Sequence, residues 1–141
     1  MRTLGIVAMT LVLAVAGCGD EKEAAPVTAA RAFAQAMVRA DAKALVDLVD
    51  LDAAARLEHA ASQASDQVGG RRTIEQYEMI QVVDVPDSFQ VAKAELVSGD
   101  DAEASVALVA ADGERHMLQM VFQAGAWRVR VPLPPMLEET P

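Results

Sequence analysis

The sequence predicts an α+β fold, in which N-terminal helices pack against a curved antiparallel sheet of about four strands. Apolar residues recur at helical spacing through residues 26–67, whereas the second half of the chain alternates apolar and polar residues in short runs. Turns that contain glycine and aspartate separate these runs. Helices and strands that are segregated along the chain in this way favour an α+β architecture.

Three helices are predicted in the first half. Pro26 suits the first turn of a helix, where its missing N–H costs nothing, and the apolar spacing continues to about Asp41. A short second helix is predicted over residues 42–49. The third is predicted over residues 52–67, with Asp52 as the N-cap.

The second half predicts a meander of strands. Residues 73–85 fit either a capped helix or a strand, and we favour a short turn that leads into a strand. Asp112-Gly113 is a signal for a two-residue hairpin, and Ala124-Gly125 predicts another turn. The alternating runs predict strands at residues 90–98, 102–111, 114–123 and 127–131.

The first residues are organised like a bacterial export signal. A short positive start is followed by an uncharged apolar core over residues 4–16. An ordinary cleavage site at Val15-Ala16-Gly17 is one interpretation. The run LAVAGC, which ends at Cys18, resembles the lipobox of bacterial lipoproteins, where a peptidase cuts directly before the cysteine. This resemblance implies a signal peptide over residues 1–17 and a Cys18 that carries a diacylglycerol and a third chain such as palmitate.

The lipobox resemblance also implies a location. Stable anchoring of a protein in a membrane takes at least two acyl chains. Residues 18–25 are mainly charged or small, which is typical of a tether between a lipid anchor and a folded domain. Cys18 is the single cysteine, so an intramolecular disulfide is excluded. In diderm bacteria an aspartate directly after the lipidated cysteine favours inner-membrane retention. Gly19 at that position favours the outer membrane, on its periplasmic face.

The charge limits the classes of partner. The formal net charge is −9, and nucleic-acid binding depends on Lys and Arg that neutralise phosphates. We therefore expect no nucleic-acid partner. Anionic lipid would also repel the acidic body if the body lay flat on it, so the expected membrane contact is the N-terminal lipid.

Four short stretches resemble small bacterial lipoproteins that carry a nuclear transport factor 2-like (cystatin-like) domain of unknown function. They are PVTAARAFAQA from residue 26, ADAKAL from residue 40, GDDAEASV from residue 99 and GAWRV from residue 125. The resemblance implies a domain over residues 26–131, with a sheet that wraps a long helix into a cone and a pocket at its mouth. Residues 132–141 would then be a proline-rich tail.

Two residues are candidates for the pocket. His116 shares strand phase with Leu118 and Met120, so it is either a general base in the sheet–helix interface or a hydrogen-bonded residue at a strand end. Tyr77 is the single tyrosine, and isomerases of the same fold use a tyrosine in the oxyanion hole. The surroundings of Tyr77 match no such pattern, so no catalytic residue is assigned. Neither a zinc motif nor a calcium loop is evident, and we expect no metal or cofactor.

These observations predict a lipid-anchored, non-catalytic cell-envelope protein that binds a small apolar ligand or a protein partner through the concave sheet face. The first alternative is a small acid–base enzyme, isomerase- or hydrolase-like, that uses His116 or an inward aspartate. Such an enzyme needs a pocket with at least two converging polar side chains. The second alternative is a structural or dimeric envelope protein. The apolar residues expected to fill the cone are Phe33, Met37, Leu118, Met120, Phe122 and Trp127.

Overall fold

Three helices and a four-stranded antiparallel sheet form the computed structural model, which describes residues 22–81 and 90–133. The helices are α1 Ala25–Val38, α2 Ala42–Leu48 and α3 Leu51–Gln67, and a 3₁₀ helix spans Gln76–Met79. The strands are β1 Val91–Gly99, β2 Glu103–Ala110, β3 Arg115–Gln123 and β4 Ala126–Val129. They lie in the order β1-β2-β3-β4, and the sheet is not closed. The predicted α+β class is confirmed.

Several predictions concern residues outside the described ranges. The signal peptide over residues 1–17, the lipid attachment at Cys18 and the tail beyond Leu133 are among them. Within residues 22–81 and 90–133, no helix has both the length and the apolar character needed to cross a membrane.

Helix α1 ends earlier than the predicted Asp41. Ala40 adopts a left-handed conformation (φ +52°), and the Asp41 N–H donates to the Ala36 carbonyl over 2.9 Å. This is a Schellman ending, which satisfies carbonyls of the last turn. The Asp41 side chain then accepts from the Ala44 N–H at 3.0 Å, so α2 begins immediately.

The N-cap of α3 is Asp50, and the prediction of Asp52 was wrong. The Asp50 Oδ1 accepts from the Ala53 N–H at 3.0 Å, and Asp52 lies exposed in the first turn. Asp50 is 5% exposed, and its second oxygen accepts from the Val131 N–H at 2.7 Å. Its backbone N–H donates to the Val129 carbonyl at 2.8 Å. These long-range bonds select Asp50 and join the start of α3 to the end of β4.

The core lies between α1 and one face of the sheet. Strand alternation places Ala104, Val106 and Leu108 of β2 on that face, with Met120 of β3 opposite Ala104. Buried side chains of α1 pack against these residues, and small ones let the helix approach the sheet closely. The buried cluster consists of Val27, Ala30, Ala34, Ala104, Val106, Leu108, Met120 and Val129.

The turn predicted at Ala124-Gly125 is confirmed, whereas the β2–β3 turn differs from the predicted two-residue hairpin. The β2–β3 loop consists of residues 111–113, because the Ala110 N–H donates to the Glu114 carbonyl and so extends the strand pairing to Glu114. Gly113 in this loop is left-handed. The β3–β4 loop has two residues, Ala124 and Gly125, both with positive φ, which is the type I′ turn that hairpins favour. Gly99 closes the β1–β2 turn, where an added Cβ would lie 2.7 Å from the Ala104 Cβ.

The structure tests the prediction for residues 73–85 only in part, and it shortens the predicted last strand. The ambiguous residues 73–85 contain the 3₁₀ helix, and residues 82–89 lie outside the described ranges. Strand β4 ends at Val129, two residues before the predicted end. Beyond Val129 the chain runs toward the helices, and the Val131 N–H donates a hydrogen bond to the Asp50 side chain.

Candidate functional site

An apolar cavity of about 300 Å³ lies between the helices and the segment after β4. We call it the helix cavity. The wall on the side of the helices is formed by Phe33, Met37, Leu45, Ala53 and Leu57, with Val49 from the link between α2 and α3. Ile80, Val131 and Leu133 form the remaining apolar wall. Its volume falls at the lower end of the range typical of small-molecule sites.

Helical periodicity directs these side chains to the cavity. Phe33 and Met37 are four residues apart on α1 and therefore lie on one face. Ala53 and Leu57 have the same spacing on α3. The small side chain of Ala53 leaves space opposite α1, and that space is part of the cavity.

Polar chemistry is sparse in the helix cavity. Among the described residues that line it, Arg56 alone is charged, and the others are apolar. Apolar walls with one polar group are typical of sites that bind small apolar molecules. Proton transfer would need an acid and a base positioned together, and the described lining provides no such pair.

Asp50 and Arg128 hold the walls of the helix cavity together. Asp50 lies between the wall residues Val49 and Ala53 and binds the N–H of Val131, a wall residue from the other side. The Arg128 guanidinium donates from Nη1 to the Asp47 carbonyl at 2.9 Å. These bonds join the part of the wall around Val49 and Ala53 to the end of β4 and to Val131.

The two candidate residues from the sequence lie apart from the cavity and in different places. Tyr77 is 40% exposed and lines a polar groove of about 420 Å³ with Lys43 and Asp47. His116 is half-buried on β3, where its Nε2 lies 3.5 Å from Glu114 Oε1. Neither residue lines the helix cavity, and the structure does not bring them together in one site.

The six residues expected to fill a cone separate into three groups. Met120 is buried in the core, with Leu118 and Trp127 half-buried against it. Phe33 and Met37 line the helix cavity. Phe122 is 46% exposed at the surface.

The carboxyl groups with lowered pKa values are surface groups. A hydrogen bond from Arg31 lowers the pKa of Glu23. Backbone N–H groups, first that of Glu103, lower the pKa of Asp100. None of these carboxyl groups lines the helix cavity, and each shift has a local structural cause. The affected groups are Glu23, Glu78, Glu95 and Asp100.

Sequence reasoning missed two contributors to this site. Asp50 was overlooked because Asp52, two residues later, is an equally good capping residue by sequence. Arg56 is four residues after Asp52 on a polar-looking part of α3, and nothing in the sequence marks it as a cavity residue. In residues 22–81 and 90–133, no group of three His, Cys, Asp or Glu is positioned to hold a metal ion.

Comparisons with known proteins identify no relative of this chain. No family model, curated protein or solved structure matches the chain.

Proposed function

We propose that the protein is a lipid-anchored, non-catalytic protein of the bacterial cell envelope that binds a small apolar ligand in the helix cavity. In this proposal residues 1–17 are removed, Cys18 carries the acyl chains and residues 18–25 are the tether. The domain over residues 26–131 would be held at the periplasmic face of the outer membrane. The proline-rich tail would begin at Pro132.

The observation that carries the binding function is the helix cavity itself. It is apolar, it is large enough for a small molecule, and bonds from Asp50 and Arg128 join its walls. We propose this cavity as the ligand site instead of the concave sheet face, because none of the residues that line it belongs to the four described strands. A nuclear transport factor 2-like domain remains part of the proposal. Its support is the packing of α1 on one face of an antiparallel sheet.

The cavity chemistry favours binding over acid–base catalysis. An enzyme of the alternative type needs at least two converging polar side chains. In the helix cavity Arg56 is the single charged contribution from the described lining. The groove that contains Tyr77, Lys43 and Asp47 is a separate polar site, in which Tyr77 is 40% exposed. A protein partner or a dimer would use a surface in place of this cavity, and measurements of size in solution address that alternative.

Binding of an uncharged apolar dye tests the function. We expect N-phenyl-1-naphthylamine to bind the full chain saturably, with increased fluorescence. Ala53→Leu should fill the cavity and weaken binding by about tenfold or more, which corresponds to about 1.4 kcal/mol. Ala61→Leu is the matched control, because Ala61 is equally buried on α3 but does not line the cavity.

Two results would contradict the ligand site. One is the absence of saturable dye binding to the wild-type chain. The other is an equal loss of binding in the Ala53→Leu and Ala61→Leu variants, which would indicate a general effect of overpacking. If Ala53→Leu fails to fold, Leu57→Phe fills the same cavity from the next turn of α3.

The anchor has its own test. Mass spectrometry of the mature protein from a bacterial host should show an N-terminus at Cys18 with a diacylglycerol and a further acyl chain. Cys18→Ser should abolish both the lipid and membrane attachment. An intact Met1 or an unmodified Cys18 would refute the lipoprotein proposal and leave the ligand site to be judged by dye binding.

A further inference from the structure

A partly exposed aromatic pair lies at the hairpin between β3 and β4, with Phe122 exposed and Trp127 half-buried. Phe122 and Trp127 are cross-strand neighbours, with ring centroids 5.5 Å apart and ring planes inclined by 58°. Phe122 is 46% exposed even though it follows the strand phase of buried Met120. Large aromatic side chains at the surface are candidates for contact with a partner or a membrane.

The aromatic pair belongs to a larger surface. The first half of α1 and the hairpin enclose a shallow, mainly apolar depression of about 640 Å³. Small side chains of α1 cover little of the Phe122 ring, which accounts for its exposure. We call this depression the hairpin surface; its apolar members are Ala25, Ala29, Ala32, Phe122, Ala126 and Trp127.

The position of the chain start relates this surface to the anchor. Lys22 and Glu23 lie at the edge of the hairpin surface. Cys18 precedes Lys22 by four residues, so the two Cα atoms are at most about 14 Å apart in any conformation. If Cys18 carries lipid, as the proposed function states, the hairpin surface is held within reach of the bilayer.

We propose that the hairpin surface contacts the bilayer that holds the anchor, with Phe122 and Trp127 among the lipid headgroups. This inference rests on the proposed lipid attachment at Cys18. Tryptophan favours the membrane interface, where one side is apolar and the other is hydrated, and the Phe122 ring contributes apolar area. Apolar area adds to the binding that acyl chains provide.

The local charge is compatible with this contact. The Glu23 carboxylate forms an ion pair with Arg31 at 2.8 Å, and Lys22 adds a positive charge. Lys22 and Glu23, the charged residues among those that line the hairpin surface, balance each other, whereas the whole chain has a net charge of −9. Contact through this small surface leaves the remaining acidic body in solution.

Trp127 is the single tryptophan, so its fluorescence reports on the hairpin surface alone. The lipidated full chain is reconstituted into phosphatidylcholine vesicles, with or without lipids brominated near the headgroup. Bromine quenches tryptophan emission at short range. We expect a loss of Trp127 emission in brominated vesicles relative to plain ones, with a blue shift on reconstitution. Phe122→Ser should reduce that loss. For each variant, the measured quantity is the ratio of Trp127 emission in brominated vesicles to that in plain vesicles.

Met117→Ser is the matched control. Met117 is 49% exposed on the same strand, but it lies five residues from Phe122 and therefore on the other face of the sheet. Its substitution should leave the quenching ratio unchanged. Ala126→Asp is a second variant of the hairpin surface and should reduce quenching if Phe122→Ser does not fold.

Failure of this inference and failure of the anchor give different results. A lipidated chain that sediments with vesicles but is equally bright in brominated and plain vesicles would overturn the membrane contact and leave the anchor intact. A chain without lipid on Cys18 would overturn both. Equal effects of Phe122→Ser and Met117→Ser would also overturn the contact. Protection of Trp127 in a dimer, without lipid quenching, would assign the hairpin surface to a second copy of the chain.

Discussion

The two ends of strand β4 border two different apolar regions. Beyond Val129 the chain lines the helix cavity, where apolar side chains from α1, α2 and α3 face one another. Before Ala126 lies the hairpin surface, where Phe122 is 46% exposed. Both regions are open to solvent, but apolar side chains from several elements line the helix cavity almost completely, whereas the hairpin surface is broader and includes charged Lys22 and Glu23 at its edge. The two proposals therefore concern opposite ends of β4, with ligand binding proposed at one end and membrane contact at the other.

The two regions are also held differently. At the cavity end, buried Asp50 accepts two backbone hydrogen bonds and Arg128 donates to a carbonyl of α2. At the hairpin end, the aromatic pair and a two-residue turn join the strands. We expect substitutions at the cavity end to cost more stability than those at the hairpin end.

Asp50→Ala should have the largest effect. It removes the acceptor for the Ala53 and Val131 N–H groups in a buried position, which should lower the free energy of unfolding by about 3–5 kcal/mol. Urea denaturation measures this change. Asp41→Ala is the control, because Asp41 is exposed and caps α2 through one bond; its expected cost is about 1 kcal/mol. Equal costs would show that the bond to Val131 contributes nothing.

Leu45→Ala and Phe122→Ser compare the two regions directly. Leu45 is 3% exposed and lines the helix cavity, so its truncation should cost about 2–4 kcal/mol. Phe122→Ser should cost about 1 kcal/mol or less, since it removes an exposed ring that pairs across the strands with Trp127. Thermal or urea unfolding of both variants provides the measurement. A greater loss in Phe122→Ser would reverse the comparison.

Two alanines in left-handed conformations should be improved by glycine. Ala40 at the end of α1 and Ala124 in the hairpin turn have φ of +52° and +50°. A Cβ is unfavourable in that region, so Ala40→Gly and Ala124→Gly should each stabilise by about 1 kcal/mol.

Gly69→Ala at the end of α3 is the reverse control for these glycine substitutions. Gly69 has φ +72° with open space around its Cα, so strain alone should destabilise this variant by about 1 kcal/mol. If all three variants had the same free energy of unfolding as the wild type, the left-handed conformations at these positions would be contradicted.

The smallest expected effect is a loss of stability in acid, when Glu23 becomes protonated and its ion pair with Arg31 is lost. The hydrogen bond from Arg31 lowers the pKa of Glu23 in the folded protein. Its stabilisation is therefore present above the unfolded pKa and is lost as the pH falls through the lowered folded pKa. Glu23→Gln should flatten the decline in stability below about pH 4. Superimposable pH profiles of the variant and the wild type would argue against the ion pair in solution.

The sequence predicts best what local patterns determine. The alternating run at residues 102–111 predicts a strand with one apolar face, and the structure buries Ala104, Val106 and Leu108 of this run on one face, opposite Met120 of the next strand. The choice of Asp50 over Asp52 depends on Val129 and Val131, which are distant in the chain. The residues around Asp50 in the sequence do not indicate that long-range contact, and so the N-cap was predicted at the wrong residue.

The helix cavity could not be predicted for the same reason. Its walls combine residues from Phe33 to Leu133, which only the tertiary fold brings together. The strand phase of Phe122 was readable, but its exposure was not. That exposure depends on which side chains of α1 lie opposite, and these are alanine and threonine at Ala25, Thr28 and Ala29. Periodicity identifies a face, whereas the neighbouring element determines how well that face is covered.

The most direct test of the account is to locate a bound small apolar molecule by NMR. With N-phenyl-1-naphthylamine added to the methyl-labelled chain, we predict intermolecular NOEs from the dye to the methyl groups of Leu45, Val49 and Leu57. The rings of Phe122 and Trp127 should show none. NOEs to those rings alone, or to no residue of the helix cavity, would contradict the assignment of ligand binding to this end of β4.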